Sequence, residues 1–266
     1  MIKKESRILI TGACGSVGSA LVDKFLNDGN IVCAFDHNEN GLFKLENKYK
    51  QQYNHKLKLF LGDVRDESRL KKAFEGVDIV LHCAAIKHVY ISEYNPFEAM
   101  QTNIVGTNNV IEAALNSSVT KVVYTSSDKA VNPASLMGAT KSLMEKLLWS
   151  YSDNIHVSTA RFANVAFSAG SLLEGFENRL KNRQPLAGPR DIKRYFISHE
   201  EAGQFCLLAC FLSEERQTFI PKMKPEKHLL SFQDIAVEYL AHNNFTPKFC
   251  LSEAEAKSAT VGEKGK

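Results

Sequence analysis

The sequence predicts a doubly wound α/β fold, a parallel sheet with helices on both faces, with a smaller lobe after it. Three observations predict it. Short apolar, β-branched runs alternate with amphipathic helical patterns through about residue 161; the first run opens into a glycine-rich loop; and beyond residue 162 the rhythm changes to loops and isolated helices. Residues 1–161 are therefore read as one domain and 162–266 as an interleaved second lobe, short at its C-terminal end.

Composition narrows the function. Of 266 residues, 44% are apolar and 24% charged, ordinary for a globular protein. The net charge of +3 comes from 33 basic against 30 acidic residues, with no basic run interleaved with aromatics, so nucleic acid is not an expected partner. No apolar run approaches the ~20 residues of a membrane span, and MIKKESRILITG enters a strand without a signal-type apolar region, so a cytoplasmic location is expected. Six cysteines (14, 33, 83, 206, 210 and 250) are scattered through mostly apolar runs. They read as buried free thiols and complete no metal pattern.

Arg7–Ile10 is the first strand. Gly12-Ala13-Cys14-Gly15-Ser16-Val17-Gly18 follows it and leads into a helix carrying Leu21, Phe25 and Leu26. Glycines so spaced permit a tight turn and close approach of backbone to a pyrophosphate, and the helix N-terminus supplies N–H groups. Ile31–Phe35 is the next strand and ends in Asp36, close to the offset at which a carboxylate takes the ribose hydroxyls of NAD. It would repel the extra phosphate of NADP; the plainer alternative is a turn aspartate in DHNENG.

Leu57–Leu61 is the third strand, ending in Gly62-Asp63-Val64, where Asp63 either accepts from an adenine amino group or caps the helix over 67–75. Asp78–Cys83 is the fourth. Ala84 and Ala85 then leave room for a cofactor against backbone, with Lys87 and His88 just beyond as candidate ligand contacts or ordinary loop residues. Pro96–Leu115 has helical spacing. Asn103 inside it is either exposed or makes a specific hydrogen bond, and it is counted among the cofactor-side residues.

Lys121–Thr125 is the fifth strand and a helix over 136–151 follows. Ser126, Ser127, Asp128 and Lys129 lie between them where a parallel strand ends, the ligand edge of such sheets. Met137 and Lys141, four apart, share a helix face. Ile155–Arg161 is the sixth strand. The remainder reads as a small-residue loop over 164–171, helices over 172–181, 199–212 and 232–241 in the smaller lobe, and a polar tail from 252. The connection over 184–194, with Arg183 before it, carries Arg190, Lys193 and Arg194, a basic cluster suited to a phosphorylated ligand or simply solvated.

Together these stretches resemble the extended short-chain dehydrogenase/reductase superfamily, of Rossmann type, and within it the sugar-nucleotide 4,6-dehydratases acting on UDP-N-acetylglucosamine. The resemblance rests on the glycine loop, HCAAIKHV at 82–89, NPFEAMQTNIVGTNNV at 95–110, SSDKAVNP at 126–133, MGATK at 137–141, RFANV at 161–165 and DIKRYFISHEEA at 191–202. The superfamily's tyrosine four residues before its lysine is here Met137. A branch of these dehydratases, associated with retention at sugar carbon 5, is similar in carrying methionine there after a Ser/Thr-Asp-Lys triplet, matched by Ser127, Asp128 and Lys129.

The resemblance implies a lyase with tightly bound NAD, working in bacterial cell-surface glycan biosynthesis. It implies Lys141 on the nicotinamide ribose, Ser127, Asp128 and Lys129 in proton transfer, and Asn164 and Arg194, with Lys87 and His88, on the UDP-sugar. It further implies self-association through helices equivalent to 95–117 and 136–151. Ala169 stands where an arginine is common. Two alternatives remain: a 4-epimerase or dehydrogenase of the same fold, or an NAD-binding module without catalysis.

Overall fold

The computed structural model describes residues 5–53, 55–168, 170–189, 191–247 and 249. Ala169, Arg190, Cys250 and the polar tail lie outside the described residues. The chain divides into two compact units, residues 1–162 with 199–221, and residues 163–198 with 222–266.

The first unit opens with β1 (Arg7–Thr11), α1 (Ser16–Asn27), β2 (Ile31–Asp36), α2 (Glu39–Tyr53), β3 (Leu57–Leu61), α3 (Glu67–Ala73) and β4 (Ile79–His82). It continues through α4 (Val89–Tyr94), α5 (Pro96–Met100), a π-helical turn (Gln101–Val105), α6 (Gly106–Leu115), β5 (Lys121–Ser127), a 3-10 turn (Asp128–Ala130), α7 (Leu136–Ser150) and β6 (His156–Phe162). In the second unit, β7 (Asn164–Val165), α8 (Leu172–Lys181) and β8 (Lys193–Ile197) come next. The chain then returns to the first unit for α9 (His199–Leu212) and β9 (Gln217–Phe219), and ends in the second with α10 (Pro225–His228), β10 (Leu229–Ser231) and α11 (Phe232–His242).

The first unit's seven strands run β3-β2-β1-β4-β5-β6-β9, all parallel. Strand order reverses between β1 and β4, the switch point beside which such sheets bind ligands. The register aligns Thr11 with His82, and His82 with Tyr124, so the ligand-side ends of β1, β4 and β5 lie level. Both faces are covered, so the strands are continuous apolar runs: Ile8, Leu9, Ile10, Val80, Leu81, Val122 and Val123 are fully buried. Asp66 accepts from the Arg69 N–H to cap α3, and Ser135 from the Gly138 N–H to cap α7. The second unit's sheet is β10-β8-β7, antiparallel then parallel, with Ser171 and Ser231 capping α8 and α11.

Three readings of the sequence are corrected. Helix α9, expected in the smaller lobe, packs in the first unit, where Gly203 comes close to Ala20 of α1 and Ala202, Cys206, Ala209 and Cys210 are buried; β9 then extends the sheet beside β6. The helix over 96–115 is broken by the π turn at Gln101–Val105. The polar DHNENG stretch starts a 15-residue helix, α2, buried through Leu42, Leu45 and Tyr49 at helical spacing. Among the described residues, Cys14, Cys33, Cys83, Cys206 and Cys210 are free thiols, and no helix is long and apolar enough to cross a membrane.

Candidate functional site

The glycine loop is shaped by what cannot fit beside it. Gly12 has φ +68°, and a Cβ there would lie 2.8 Å from the Ala84 backbone nitrogen; one on Gly18 would lie 2.1 Å from the Gly12 carbonyl oxygen. The loop therefore rests directly on the backbone that leaves β4. Gly15 precedes α1 with no side-chain cap, so the helix starts at Ser16 and Val17 with its N–H groups toward the loop. Asp36, only 6% exposed, accepts hydrogen bonds from the Cys14 and Asn38 N–H groups, each 2.9 Å. A cradle without Cβ atoms, a helix N-terminus and a buried carboxylate ending β2 together fit a dinucleotide.

Under that loop runs a buried polar chain. Thr107 donates to the Asn103 carbonyl at 2.5 Å, so its oxygen receives the His82 Nε2–H at 3.0 Å; His82 Nδ1 then accepts from Thr11 Oγ1 at 2.7 Å, and Thr11 Oγ1 accepts the Ala84 N–H at 3.3 Å. Burial pushes His82 down to about 3, so the ring is neutral. Asn103 makes specific hydrogen bonds. Its Oδ1 accepts the Ile86 N–H at 2.8 Å, and its amide donates to the Ile86 carbonyl at 3.0 Å and Thr140 Oγ1 at 2.9 Å. A cofactor contact was expected of it. Fully buried with both amide hydrogens committed, it instead fixes the loop carrying Ala84, Ala85 and Lys87. Asp63 does not cap α3; Arg65 grips its carboxylate at 2.6–3.0 Å and holds the group below its usual range, while Arg65 also meets Glu98 at 2.7 Å. Val64 is buried, packs close to Gly106, and its carbonyl accepts from Asn109.

At the end of β5, Ser127 turns the chain. Its oxygen accepts the Lys129 N–H at 3.3 Å and its hydroxyl donates to Asp128 Oδ1 at 2.9 Å, the same oxygen that Lys129 Nζ meets at 3.2 Å. The Asp128 and Lys129 side chains are 44% and 35% exposed. Gly138 lets α7 close on this turn, since a Cβ there would lie 2.6 Å from the Lys129 carbonyl. Met137 and Lys141 do share the buried face of α7. Lys141 Nζ donates to the Thr125 carbonyl at 3.1 Å and lies 4.8 Å from the centre of the Tyr124 ring; burial pushes it down to about 8. Tyr124 is no substitute for the absent phenol at 137, because it is fully buried, donates to Met144 Sδ at 3.0 Å, and burial pushes its hydroxyl well above the ordinary tyrosine value. One turn past Lys141, Glu145 is buried in an ion pair with Arg161 of β6.

Lys87 and His88 are exposed where the β4 loop enters α4. In the second unit, Asn164 donates to the Tyr195 carbonyl at 3.0 Å, and Arg194 is exposed on β8. Arg183 follows α8 in the left-handed region at φ +55°, whereas Lys193 and Arg194 belong to β8. Sequence reasoning passed over His82, Thr107, Tyr124 and the Glu145–Arg161 pair. A histidine inside an apolar strand was the one available signal, since a buried ring must find hydrogen-bond partners.

The chain is similar to known proteins in sequence and fold. The chain is 39% identical over 98% of its length to an uncharacterized membrane protein of Methanocaldococcus jannaschii, spanning 78% of that protein. It is 35% identical over 83% of its length to the inverting UDP-N-acetylglucosamine 4,6-dehydratase of Campylobacter jejuni, spanning 68% of it, and 35% identical over 82% to the UDP-glucose 4-epimerase of Rickettsia rickettsii, spanning 66%. It spans only 38% of the capsular polysaccharide biosynthesis protein CapD of Staphylococcus aureus. The structure of Pen from Bacillus thuringiensis superposes with a TM-score of 0.85 at 33% identity, over 91% of this chain and 74% of that one. The polysaccharide biosynthesis protein family model matches residues 8–264, and the chain belongs to that family.

Proposed function

We propose that the protein is a UDP-N-acetyl-hexosamine 4,6-dehydratase with tightly bound NAD, converting UDP-N-acetylglucosamine to its 4-keto-6-deoxy product. The observation that carries this reading is the linked set Ser127, Asp128 and Lys129 beside Lys141, with Met137 in place of a phenol. NAD, when bound, would supply an acceptor for hydride from sugar carbon 4 and a donor of hydride to carbon 6. Gly12, Gly15, Gly18 and the start of α1 would hold its pyrophosphate, Asp36 its adenosine ribose, Asp63 and Val64 its adenine, Ala84 and Ala85 its flank, and Lys141 its nicotinamide ribose.

The chain's own residues move the protons. Asp128 and Lys129 meet through one oxygen 3.2 Å from Nζ. Acting as an amine, Lys129 would take the carbon 5 proton, acidified by the 4-keto group, and return it to that carbon after water has left, while Asp128 would give the departing carbon 6 hydroxyl the proton it took from the carbon 4 hydroxyl. Ser127 donates to Asp128 Oδ1 at 2.9 Å and would pass the carbon 4 hydroxyl proton to that carboxylate at the earlier step.

Lys87, His88, Asn164 and Arg194 would meet the UDP-sugar. The first unit, residues 1–162 with 199–221, would serve the cofactor and the second the substrate. Cytoplasmic location and self-association belong to the same reading, the latter supported by exposed Tyr90, Tyr94, Phe97, Met100 and Leu143 on helices of the first unit. A 4-epimerase is the second reading, favoured by the rickettsial relative's name. Incubation with UDP-N-acetylglucosamine separates them: a product lighter by one water is dehydration, whereas an isomer of unchanged mass overturns it. The proton spectrum of product made in heavy water reads configuration at carbon 5.

A further inference from the structure

Lys141 is a cation in an apolar place. Its ammonium has one carbonyl partner, Thr125 at 3.1 Å, and it lies 4.8 Å from the centre of an aromatic ring that is itself fully buried. The ring does not slide. Its hydroxyl donates to Met144 Sδ at 3.0 Å, and its flank meets His82 with ring centres 5.9 Å apart. The π face of an aromatic ring carries negative potential, and a desolvated cation held against it gains more than one in water. We propose that Tyr124 is a positioning residue for Lys141, its ring face holding the ammonium charged and aimed at the Thr125 carbonyl of β5.

The other groups facing Lys141 are Glu145 on its own helix, His82 and Cys83 at the end of β4, Lys87 in the loop beyond and the Thr125 carbonyl of β5. Glu145 and Cys83 favour the ammonium and Lys87 opposes it, and Glu145 is already partnered by Arg161. Of these only the His82 ring also meets the Tyr124 ring, and it is neutral. The ring's contribution can therefore be varied alone.

This role deepens the dehydratase reading and rests on it only for the importance of Lys141. The test is a titration of lysine side chains by carbon-13 NMR in the NAD-loaded protein, with the Lys141 signal identified by its loss in Lys141→Arg. Two variants are compared, Tyr124→Phe and Tyr124→pentafluorophenylalanine. Both lose the hydroxyl bond to Met144, chemical denaturation of each reads its packing cost separately, and fluorination alone reverses the charge of the π face. Tyr124→Phe should titrate as the parent does, whereas the fluorinated variant should release its Lys141 proton at lower pH, with proton affinity down roughly tenfold or more. Equal titration of the two variants overturns the proposal, even if dehydration is observed. A shift found in a protein that never dehydrates UDP-N-acetylglucosamine leaves this role standing and removes the dehydratase reading instead.

Discussion

Two regions along one sheet edge are built in opposite ways. Below the glycine loop, Thr11, His82, Asn103, Thr107 and Thr140 are buried, and their side-chain groups are committed to one another or to backbone. At the end of β5, Asp128 and Lys129 are partly exposed and bonded mainly to their immediate neighbours in sequence. The first arrangement fixes shape, because a buried polar group left without a partner is costly. The second leaves its side chains within reach of solvent and of a ligand. Stability and chemistry should therefore separate along the chain.

The sharpest test lies in the second region. Asp128→Asn and Lys129→Ala should each lower formation of the 4-keto-6-deoxy product by roughly a hundred- to ten-thousand-fold, the range for a lost acid or base. Tm and NAD retention should not change, since both side chains are partly exposed. Full activity in either variant removes these residues from the mechanism, and a large fall in Tm would erase the contrast between the regions.

His82 gives the first region a pH signature. Its folded value of about 3 lies below the ordinary 6.5, so between those values the unfolded chain binds a proton that the folded chain does not. Stability then rises with pH across that window, and acidification from pH 6.5 toward 3 should remove on the order of 4 kcal/mol from this group. Urea unfolding as a function of pH reads it. A His82→Gln variant that keeps the same acid slope would place the sensitivity elsewhere.

What could be read in advance follows the same division. Strand ends and the glycine loop were legible because apolar runs and Cβ-free turns leave marks in a single stretch, as at Leu57–Leu61, which matches its strand residue for residue. The brace under the loop was not, because Thr11, His82 and Asn103 are scattered in sequence and meet only when β1, β4 and the helix over 96–115 pack. Helix α9 was misplaced for a related reason: its residues are apolar on nearly every side, so its pattern names no partner, and contact with α1 and β6 decides the unit it joins. The Ser127-Asp128-Lys129 set was legible because it is contiguous.

Asn103 separates bracing from contact. Asn103→Ala would leave the Ile86 backbone N–H without its acceptor and a small cavity beside Thr140, for about 2–3 kcal/mol of lost stability. NAD affinity should fall with it, because the loop carrying Ala84 and Ala85 loosens. Asn103→Asp keeps the acceptor but loses both amide donors, so it should not restore stability. Stability unchanged in Asn103→Ala, by chemical denaturation, would mean the loop is held without it.

The smallest effect is expected where a bond in the first region reaches the surface. Arg65 bridges Asp63 and Glu98 at 2.6 and 2.7 Å, tying the loop after β3 to α5. The Arg65 and Glu98 side chains are 42% and 55% exposed, so water screens their pair and ordering two long side chains offsets much of the attraction. Glu98→Gln should therefore cost less than about 1 kcal/mol, and less still at high salt. The Asp63 grip survives that change, because four of its contacts come from Arg65 alone. NAD affinity that falls tenfold in Glu98→Gln would show that the brace extends to the surface, and that the line between a fixed cofactor edge and a loose reacting edge is drawn one residue too far inward.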